Sequence, residues 1–220
     1  MTKLLISTGS LVRWPESLED KIGRILDTGV DGVEIIGGVS LATWYPSPAL
    51  IRRLQAATVT LHAELTPAFG LAQLTQAVRA LPFRVVNVTF HPDELQPEDF
   101  AALAVFPVPA SIEAMDTTRA DWRTPEEIER VLAPGVGVTV DIAHTIEHGL
   151  DPRKFEVMRV AETHLSVPTS ACTHDMAYTN AGLVPPMPRS PLVVVEGVIP
   201  AGDTAALTSE VRFASDFCGA

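Results

Sequence analysis

Eight short runs rich in Val and Ile alternate with longer segments of helical character, and this alternation restricts the possible folds more than any other feature of the sequence. Runs that are apolar throughout are typical of parallel strands covered on both faces. The predicted strands are Lys3–Ser7, Gly32–Ile36, Val59–His62, Arg84–His91, Ala110–Glu113, Val136–Asp141, Ala161–Ser166 and Leu192–Glu196. The predicted helices are Ser17–Asp27, Pro48–Ala56, Leu71–Leu81, Pro97–Leu103, Pro125–Leu132, Pro152–Met158 and Thr204–Phe217.

Strands that alternate with helices form either a closed barrel or an open doubly wound sheet. No Gly-x-Gly-x-x-Gly motif follows the first predicted strand, so an open dinucleotide-binding sheet has little support. The 220 residues reach the lower end of the size range of complete barrels, and a hydrophobic content of 46% suffices for one core. We therefore predict an α/β fold, a small (β/α)8 TIM barrel, in which residues 1–220 form a single domain.

One helix is missing from this pattern, between the seventh and eighth predicted strands. The segment Val167–Pro191 contains five prolines, which prevent a long helix because proline lacks the backbone N–H and clashes with the preceding turn. We predict that this proline-rich loop replaces the seventh helix and lies over the mouth of the barrel.

Charge and composition restrict the partners and the location. The formal net charge of −11 argues against nucleic acid as a partner, because phosphate binding requires clustered Lys and Arg. Two cysteines, Cys172 and Cys218, do not form a disulfide framework, and no apolar run approaches the length of a membrane span. Since the N-terminal apolar run is also too short for a signal peptide, we expect a cytoplasmic protein without a membrane anchor.

Six strand ends carry a side chain that can bind metal. The carboxyl ends of all strands in a (β/α) barrel converge on one mouth, so ligands from distant parts of the chain meet there. One such residue alone is more often a hydrogen-bonded histidine, a helix cap or an ion-pair partner, but their coincidence predicts a site for Zn, Mn, Fe or Mg. The histidines are His62, His91, His144 and His164, with His148 and His174 in connections, and the carboxylates are Glu34, Glu113, Asp141 and Glu196.

These residues lie in motifs that resemble the xylose isomerase-like TIM barrels, a family of sugar isomerases and epimerases that also includes endonuclease IV. The resemblance extends over nearly the whole chain, from strand to strand. The motifs are Asp31-Gly32-Val33-Glu34-Ile35, His62, Phe90-His91-Pro92, Ile112-Glu113, Asp141-Ile142-Ala143-His144 with Gly149 and Asp151, Thr163-His164-Leu165 and Val195-Glu196.

The resemblance implies two possible ligand sets. Glu113, Asp141, His164 and Glu196 match the four ligands of the isomerases that bind one metal ion. With four further histidines at the mouth, the set becomes similar to the ligands of the three zinc ions of endonuclease IV. These histidines are His62, His91, His144 and His174. The expected cofactor is therefore a divalent metal, Mn or Mg for a mononuclear site and Zn for a multinuclear one.

The sequence departs from the family pattern at two positions near the mouth. The endonuclease has an Asp two residues before its last histidine, where this chain has Cys172, which is either a substitute zinc ligand or a lost one. The family usually continues its seventh-strand His-Leu with a carboxylate, whereas Ser166-Val167 follows here. A second carboxylate that supports His164 is therefore expected to be missing.

Three functions are compatible with these features. The first is a metal-dependent isomerase or epimerase of a small sugar or polyol. The resemblance implies that one of Glu113 and Glu196 removes a carbon-bound proton to give an enediolate, that the other returns a proton, and that His144 holds a substrate oxygen. The second is a zinc phosphodiesterase resembling endonuclease IV, which the histidines favour and the negative charge disfavours. The third is a barrel that keeps the site without catalysis.

Overall fold

The computed structural model describes residues 1–219 and contains a closed barrel of eight parallel strands. Each strand pairs with the next along the chain, and β8 pairs with β1, where Leu5 lies beside Val194. The prediction of a (β/α)8 TIM barrel is therefore confirmed. The strands are β1 (Lys3–Ser7), β2 (Gly32–Gly37), β3 (Thr58–Ala63), β4 (Asn87–Phe90), β5 (Ala110–Glu113), β6 (Gly137–Asp141), β7 (Val160–Leu165) and β8 (Leu192–Val195).

Helices occupy most of the connections between strands. Several begin where the sequence places a cap: the Ser17 hydroxyl accepts from the N–H of Asp20, and Thr124 and Glu127 form a reciprocal capping box. The α-helices are α1 (Leu18–Asp27), α2 (Val39–Thr43), α3 (Pro48–Ala56), α4 (Leu71–Ala80), α5 (Pro97–Ala102), α6 (Pro125–Glu129), α7 (Ile142–Glu147) and α8 (Thr204–Cys218).

Several predicted boundaries differ from those in the structure. The fourth strand begins at Asn87 instead of Arg84, and the segment predicted as a helix from Pro152 is a 3₁₀ helix, Pro152–Val157. The sequence pattern does not indicate α2 or α7. Helix α7 begins directly after β6, where the Asp141 carboxylate accepts from the N–H of His144. Between β7 and β8, the described residues include 3₁₀ turns over Tyr178–Leu183, which are interrupted by non-helical backbone at Asn180.

The strands present apolar side chains to the helices and polar side chains to the interior of the barrel. On β3, for example, Val59 and Leu61 join the main hydrophobic core, whereas Thr60 and His62 are buried on the other face. Hydrogen bonds connect interior side chains from five strands: Thr60, Asn87, Thr89, Ser111, Thr139 and Glu162. The prediction of parallel strands covered on both faces is confirmed, and the covering on the inner face includes a layer of hydroxyls, an amide and a carboxylate in the middle of the barrel.

Below this polar layer, apolar residues close the amino-terminal end of the barrel. Leu5, Leu192 and Val194 form a separate buried cluster there, with Val86 packed against it. The carboxyl-terminal end is open and polar. Within residues 1–219, no helix combines the length and the hydrophobicity needed to cross a bilayer.

Candidate metal centre

The carboxyl ends of the strands bring the eight predicted site residues into one neighbourhood. Glu113 and Asp141 are the last residues of β5 and β6, and Glu196 follows β8 directly. His62 and His164 lie one residue before the ends of β3 and β7. His91 follows β4, His144 lies in the first turn of α7, and His174 lies in the segment after β7.

The four predicted ligands of a single-metal site face one another in the buried base of the mouth. Glu113, Asp141, His164 and Glu196 each offer a ligand atom within 4.8 Å of the other three. The Nδ1 atom of His164 lies 3.2 Å from an oxygen of Glu196 and 3.5 Å from an oxygen of Glu113. This arrangement of three carboxylates and one imidazole suits Mn, Mg or Zn.

A second group of ligand atoms shares the Glu113 carboxylate. The Oε2 atom of Glu113 lies 2.9 Å from Nε2 of His91 and 3.2 Å from Nε2 of His62. The two imidazole nitrogens are themselves 2.8 Å apart. Glu113 thus has one oxygen toward this pair and the other toward His164, which is the geometry of a carboxylate that can bridge two cations.

The third group shares Asp141. Its Oδ2 atom lies 3.7 Å from Nδ1 of His174, and the ring of His144 completes the set. The Nδ1 atom of His144 is 2.8 Å from the carbonyl oxygen of Ala114, so this nitrogen is the donor, and in the neutral ring Nε2 carries the lone pair. The Ser166 hydroxyl is 2.9 Å from Nδ1 of His174.

Two further carboxylates lie close to these histidines: Glu34, a predicted candidate ligand that lies outside both predicted ligand sets, and Glu162, which was not predicted as a site residue. Glu34, His62, His164 and Glu196 form a fourth set of ligand atoms within 4.8 Å of one another. Glu162 lies deeper, with an oxygen 3.4 Å from Nε2 of His164. The signal for both was in the sequence, since each is a charged residue inside a predicted buried strand.

The donor set fits a divalent cation. Buried atoms without a hydrogen bond in the described part of the chain include both oxygens of Glu34, Oδ2 of Asp141, Oε2 of Glu113 and both ring nitrogens of His164. Buried polar atoms are normally paired, so a concentration of unpaired anionic oxygens and imidazole nitrogens requires a compensating positive charge. Protons on the histidines or metal ions can supply it.

Without metal, the ionisable groups shift one another strongly. Burial alone would lower the pKa of His91, but the nearby Glu113 and Glu94 carboxylates raise this pKa to about 9. The pKa values of His62 and His164 are raised well above 6.5 by surrounding carboxylates, again against the effect of burial. The pKa of Asp141 is raised, because burial disfavours its charged form more than His144 and His174 favour it.

A cavity of about 320 Å³ opens above these ligands, a volume suited to a small molecule. Its floor includes His62, His91, Glu113, His144, His174 and Glu196. Its rim carries Glu64, Glu94 and Asp116, and one cation, Arg119, which is 2.7 Å from an Asp93 oxygen. The rim is therefore acidic, and its arginine already has a carboxylate partner.

Cys172 lies beside the third group without joining it. Its Sγ is 3.3 Å from the carbonyl oxygen of His174, and its backbone N–H donates to the Thr169 hydroxyl. Among residues 1–219, the sets of mutually close ligand atoms do not include this cysteine.

The barrel is similar to several solved structures, whereas no protein-family profile and no curated protein sequence matches the chain. D-psicose 3-epimerase, crystallised in the presence of D-fructose, superposes with a TM-score of 0.71 and 13% identity over 100% of both chains. The 3-keto-D-glucoside 4-epimerase YcjR from E. coli gives 0.63 and 16%, covering 99% of this chain and 100% of that chain. Endonuclease IV from Thermus thermophilus gives 0.63 and 17%, covering 99% of each chain.

Identities this low establish the fold and leave the reaction open, since one fold supports many activities. The closed parallel barrel and its superposition on these epimerases and this endonuclease over nearly their full length agree with the motifs in the sequence. The chain therefore has the fold of the xylose isomerase-like TIM barrels.

Proposed function

We propose that this protein is a divalent-metal-dependent isomerase or epimerase of a small sugar or polyol. The observation that carries this proposal is the placement of Glu113 and Glu196. Their carboxylates approach Nδ1 of His164 from two strands, at 3.5 and 3.2 Å, and both line the floor of one small cavity. Two carboxylates around one substrate-sized space are what removal and return of a carbon-bound proton require.

The proposed reaction assigns a separate role to each of three residues in the site: Glu113, Glu196 and His144. Glu113 and Glu196 would hold the cation together with Asp141 and His164. One glutamate, as a carboxylate, takes a proton from a substrate carbon, and the other, in its protonated form, gives one to the neighbouring carbon or to the opposite face. His144 donates through Nδ1 to the carbonyl of Ala114, so its Nε2 is available to a substrate oxygen. A bound divalent cation would polarise the substrate carbonyl and so make the carbon-bound proton more acidic.

The charge of the rim supports an uncharged substrate. Glu64, Glu94 and Asp116 surround the opening, and the Arg119 guanidinium is paired with Asp93. A phosphate group would meet repulsion from these carboxylates, whereas the hydroxyls of a sugar can donate to them.

We also propose a cytoplasmic location, which is supported by Cys172 and Cys218 being unpaired within the described residues.

The test is exchange of substrate hydrogen with solvent. The metal-loaded protein is incubated in D₂O with a panel of ketoses, aldoses and inositols, and deuterium incorporation is measured by mass spectrometry. Glu196→Gln and Glu113→Gln should each abolish exchange while circular dichroism shows an intact barrel. Glu126→Gln, on the exposed first turn of α6, is the control and should exchange at the wild-type rate. An active Glu196→Gln protein would refute the assignment.

A second candidate is a zinc phosphodiesterase, and one observation favours it. Glu113 and Asp141 each link the four-residue ligand set to a further group of histidines. The three groups together offer more ligand atoms than a single cation uses. Metal analysis separates the candidates: one Mn or Mg per chain supports the isomerase, and two or three Zn with hydrolysis of an abasic-site DNA or a simple phosphodiester supports the second. A protein that takes up no metal would favour a barrel without catalysis.

A further inference from the structure

Glu162 is a buried carboxylate directly beneath a candidate metal ligand. It lies two residues before His164 on β7, so both side chains point into the barrel. Glu162 is fully buried and does not reach the cavity floor. The amide nitrogen of Asn87 donates to its Oε2 at 2.9 Å, and the Thr60 hydroxyl is 3.4 Å from its Oε1. Side chains from two other strands therefore fix its position.

The imidazole of His164 lies between two pairs of carboxylates. On the side of the mouth, Nδ1 is 3.2 Å from Glu196 and 3.5 Å from Glu113. On the side of the barrel interior, Nε2 is 3.3 Å from an oxygen of Glu34 and 3.4 Å from Oε1 of Glu162. The two ring nitrogens thus face different surroundings: Nδ1 faces the carboxylates of the mouth, and Nε2 faces the buried polar layer.

Charge decides where the proton on this ring belongs. A lone pair on Nε2 would face the oxygens of Glu34 and Glu162 in a buried environment, where repulsion is screened poorly. A proton on Nε2 turns both contacts into attractions. The lone pair is then on Nδ1, which faces the Glu113 and Glu196 carboxylates where a cation would bind. A histidine that binds metal is commonly held by a carboxylate on its other nitrogen in this way.

We propose that Glu162, together with Glu34, is a positioning residue that keeps the proton of His164 on Nε2 and presents Nδ1 to the metal. This inference rests on the proposed metal centre and extends it to a residue that does not touch the cation. It also corrects an expectation from the sequence. Because Ser166-Val167 follows His164, the sequence predicts that a supporting carboxylate is missing, whereas Glu162 supplies one from two residues before His164.

Metal affinity is the first measurement. Zinc binding is measured by competition with a chromophoric chelator for the wild type, Glu162→Gln and Glu162→Met. In Glu162→Gln, Asn87 continues to donate to the amide oxygen, so the amide nitrogen is left facing Nε2 of His164. Loss of a carboxylate behind a metal-binding histidine typically weakens metal affinity about 10- to 100-fold, and we expect a loss in this range.

The tautomer of His164 is the second measurement, and a purely structural role of Glu162 would not change it. Protein with ¹⁵N-labelled histidine is studied by long-range ¹H–¹⁵N NMR, and His164→Gln identifies the signal. In the zinc-loaded wild type, the proton should be on Nε2 and zinc on Nδ1. In Glu162→Gln, the Nε2 proton should exchange faster with solvent. The matched control is Glu210→Gln, another buried glutamate, which accepts from the N–H groups of Ala177 and Tyr178.

The outcomes separate this proposal from the metal centre itself. Zinc on Nε2 of His164 in the wild type would overturn it even if both variants at Glu162 failed to fold. Wild-type zinc affinity in a folded Glu162→Gln protein would also overturn it. If the wild type takes up no divalent cation, the metal centre fails, and exchange of the Nε2 proton in the metal-free protein still tests the role of Glu162.

Discussion

The contact between His91 and Glu113 predicts how the stability of the metal-free protein depends on pH. Nε2 of His91 lies 2.9 Å from Glu113, and Nδ1 lies 3.7 Å from Glu94. Despite the opposing effect of burial, these carboxylates raise the pKa of His91 from 6.5 to about 9 in the folded state. In the unfolded chain the contacts are lost and the pKa returns to its ordinary value.

The sign and size of the effect follow from this rise in pKa. Because the folded pKa is the higher one, protonated His91 stabilises the fold fully below about pH 6.5, and this stabilisation is lost as the pH rises through about 9. A pKa difference of one corresponds to about 1.4 kcal/mol, so the whole contribution is about 3 kcal/mol. That is a substantial part of the stability of about 5–15 kcal/mol typical of a folded protein.

The assay is urea unfolding with a chelator present, followed by tryptophan fluorescence from about pH 6 to about pH 10. The free energy of unfolding of the wild type should fall by about 3 kcal/mol relative to His91→Gln over this range. His148→Gln is the matched control, because Nε2 of His148 contacts the carbonyl of Met115, which does not titrate. A difference between the wild type and His91→Gln that does not change with pH would refute the reasoning.

Zinc affinity should rise with pH, in contrast to the stability of the metal-free protein, since the cation displaces protons from its ligands.

Three further predictions concern single perturbations. Cys172→Ser should leave metal content unchanged by elemental analysis, because Sγ contacts the carbonyl of His174 outside the ligand sets of residues 1–219; loss of a zinc ion would show that the cysteine is a ligand. Gly32→Ala should unfold the barrel or lower its melting temperature sharply, because a Cβ there would overlap the Thr58 carbonyl on β3. The loss in free energy of unfolding should exceed the ~1–3 kcal/mol of ordinary overpacking, and a variant that melts at the wild-type temperature would contradict the prediction. Removing metal with a chelator should lower stability by about 2.7 kcal/mol relative to metal at about 100 times its Kd, and equal melting temperatures would argue against a bound cation.

The sequence alone determined the number and order of the strands and the kind of chemistry at their ends. Both are local properties: a run of Val and Ile predicts a strand without reference to the rest of the chain, and a Glu or His at its end is equally visible there. Parallel closure then requires the ends to converge, so the meeting of Glu113, Asp141, His164 and Glu196 was predictable before any coordinate. Boundaries such as the start of β4 at Asn87 were predicted less well, because they depend on pairing with neighbouring strands.

Only the tertiary structure decided what lies behind the ligands. Glu162 faces Nε2 of His164 from two residues away on the same strand, as the two-residue period of β7 requires. Glu34, in contrast, reaches this nitrogen across the barrel interior from β2, a strand that does not pair with β7. Such a contact depends on the register at which all eight strands close, and no local pattern encodes that register. For the same reason, the hydrogen bonds from Asn87 to Ser111 and Glu162 could not be predicted, although each of these polar residues is visible in a predicted strand. The direction in which each side chain points is fixed only when the barrel closes.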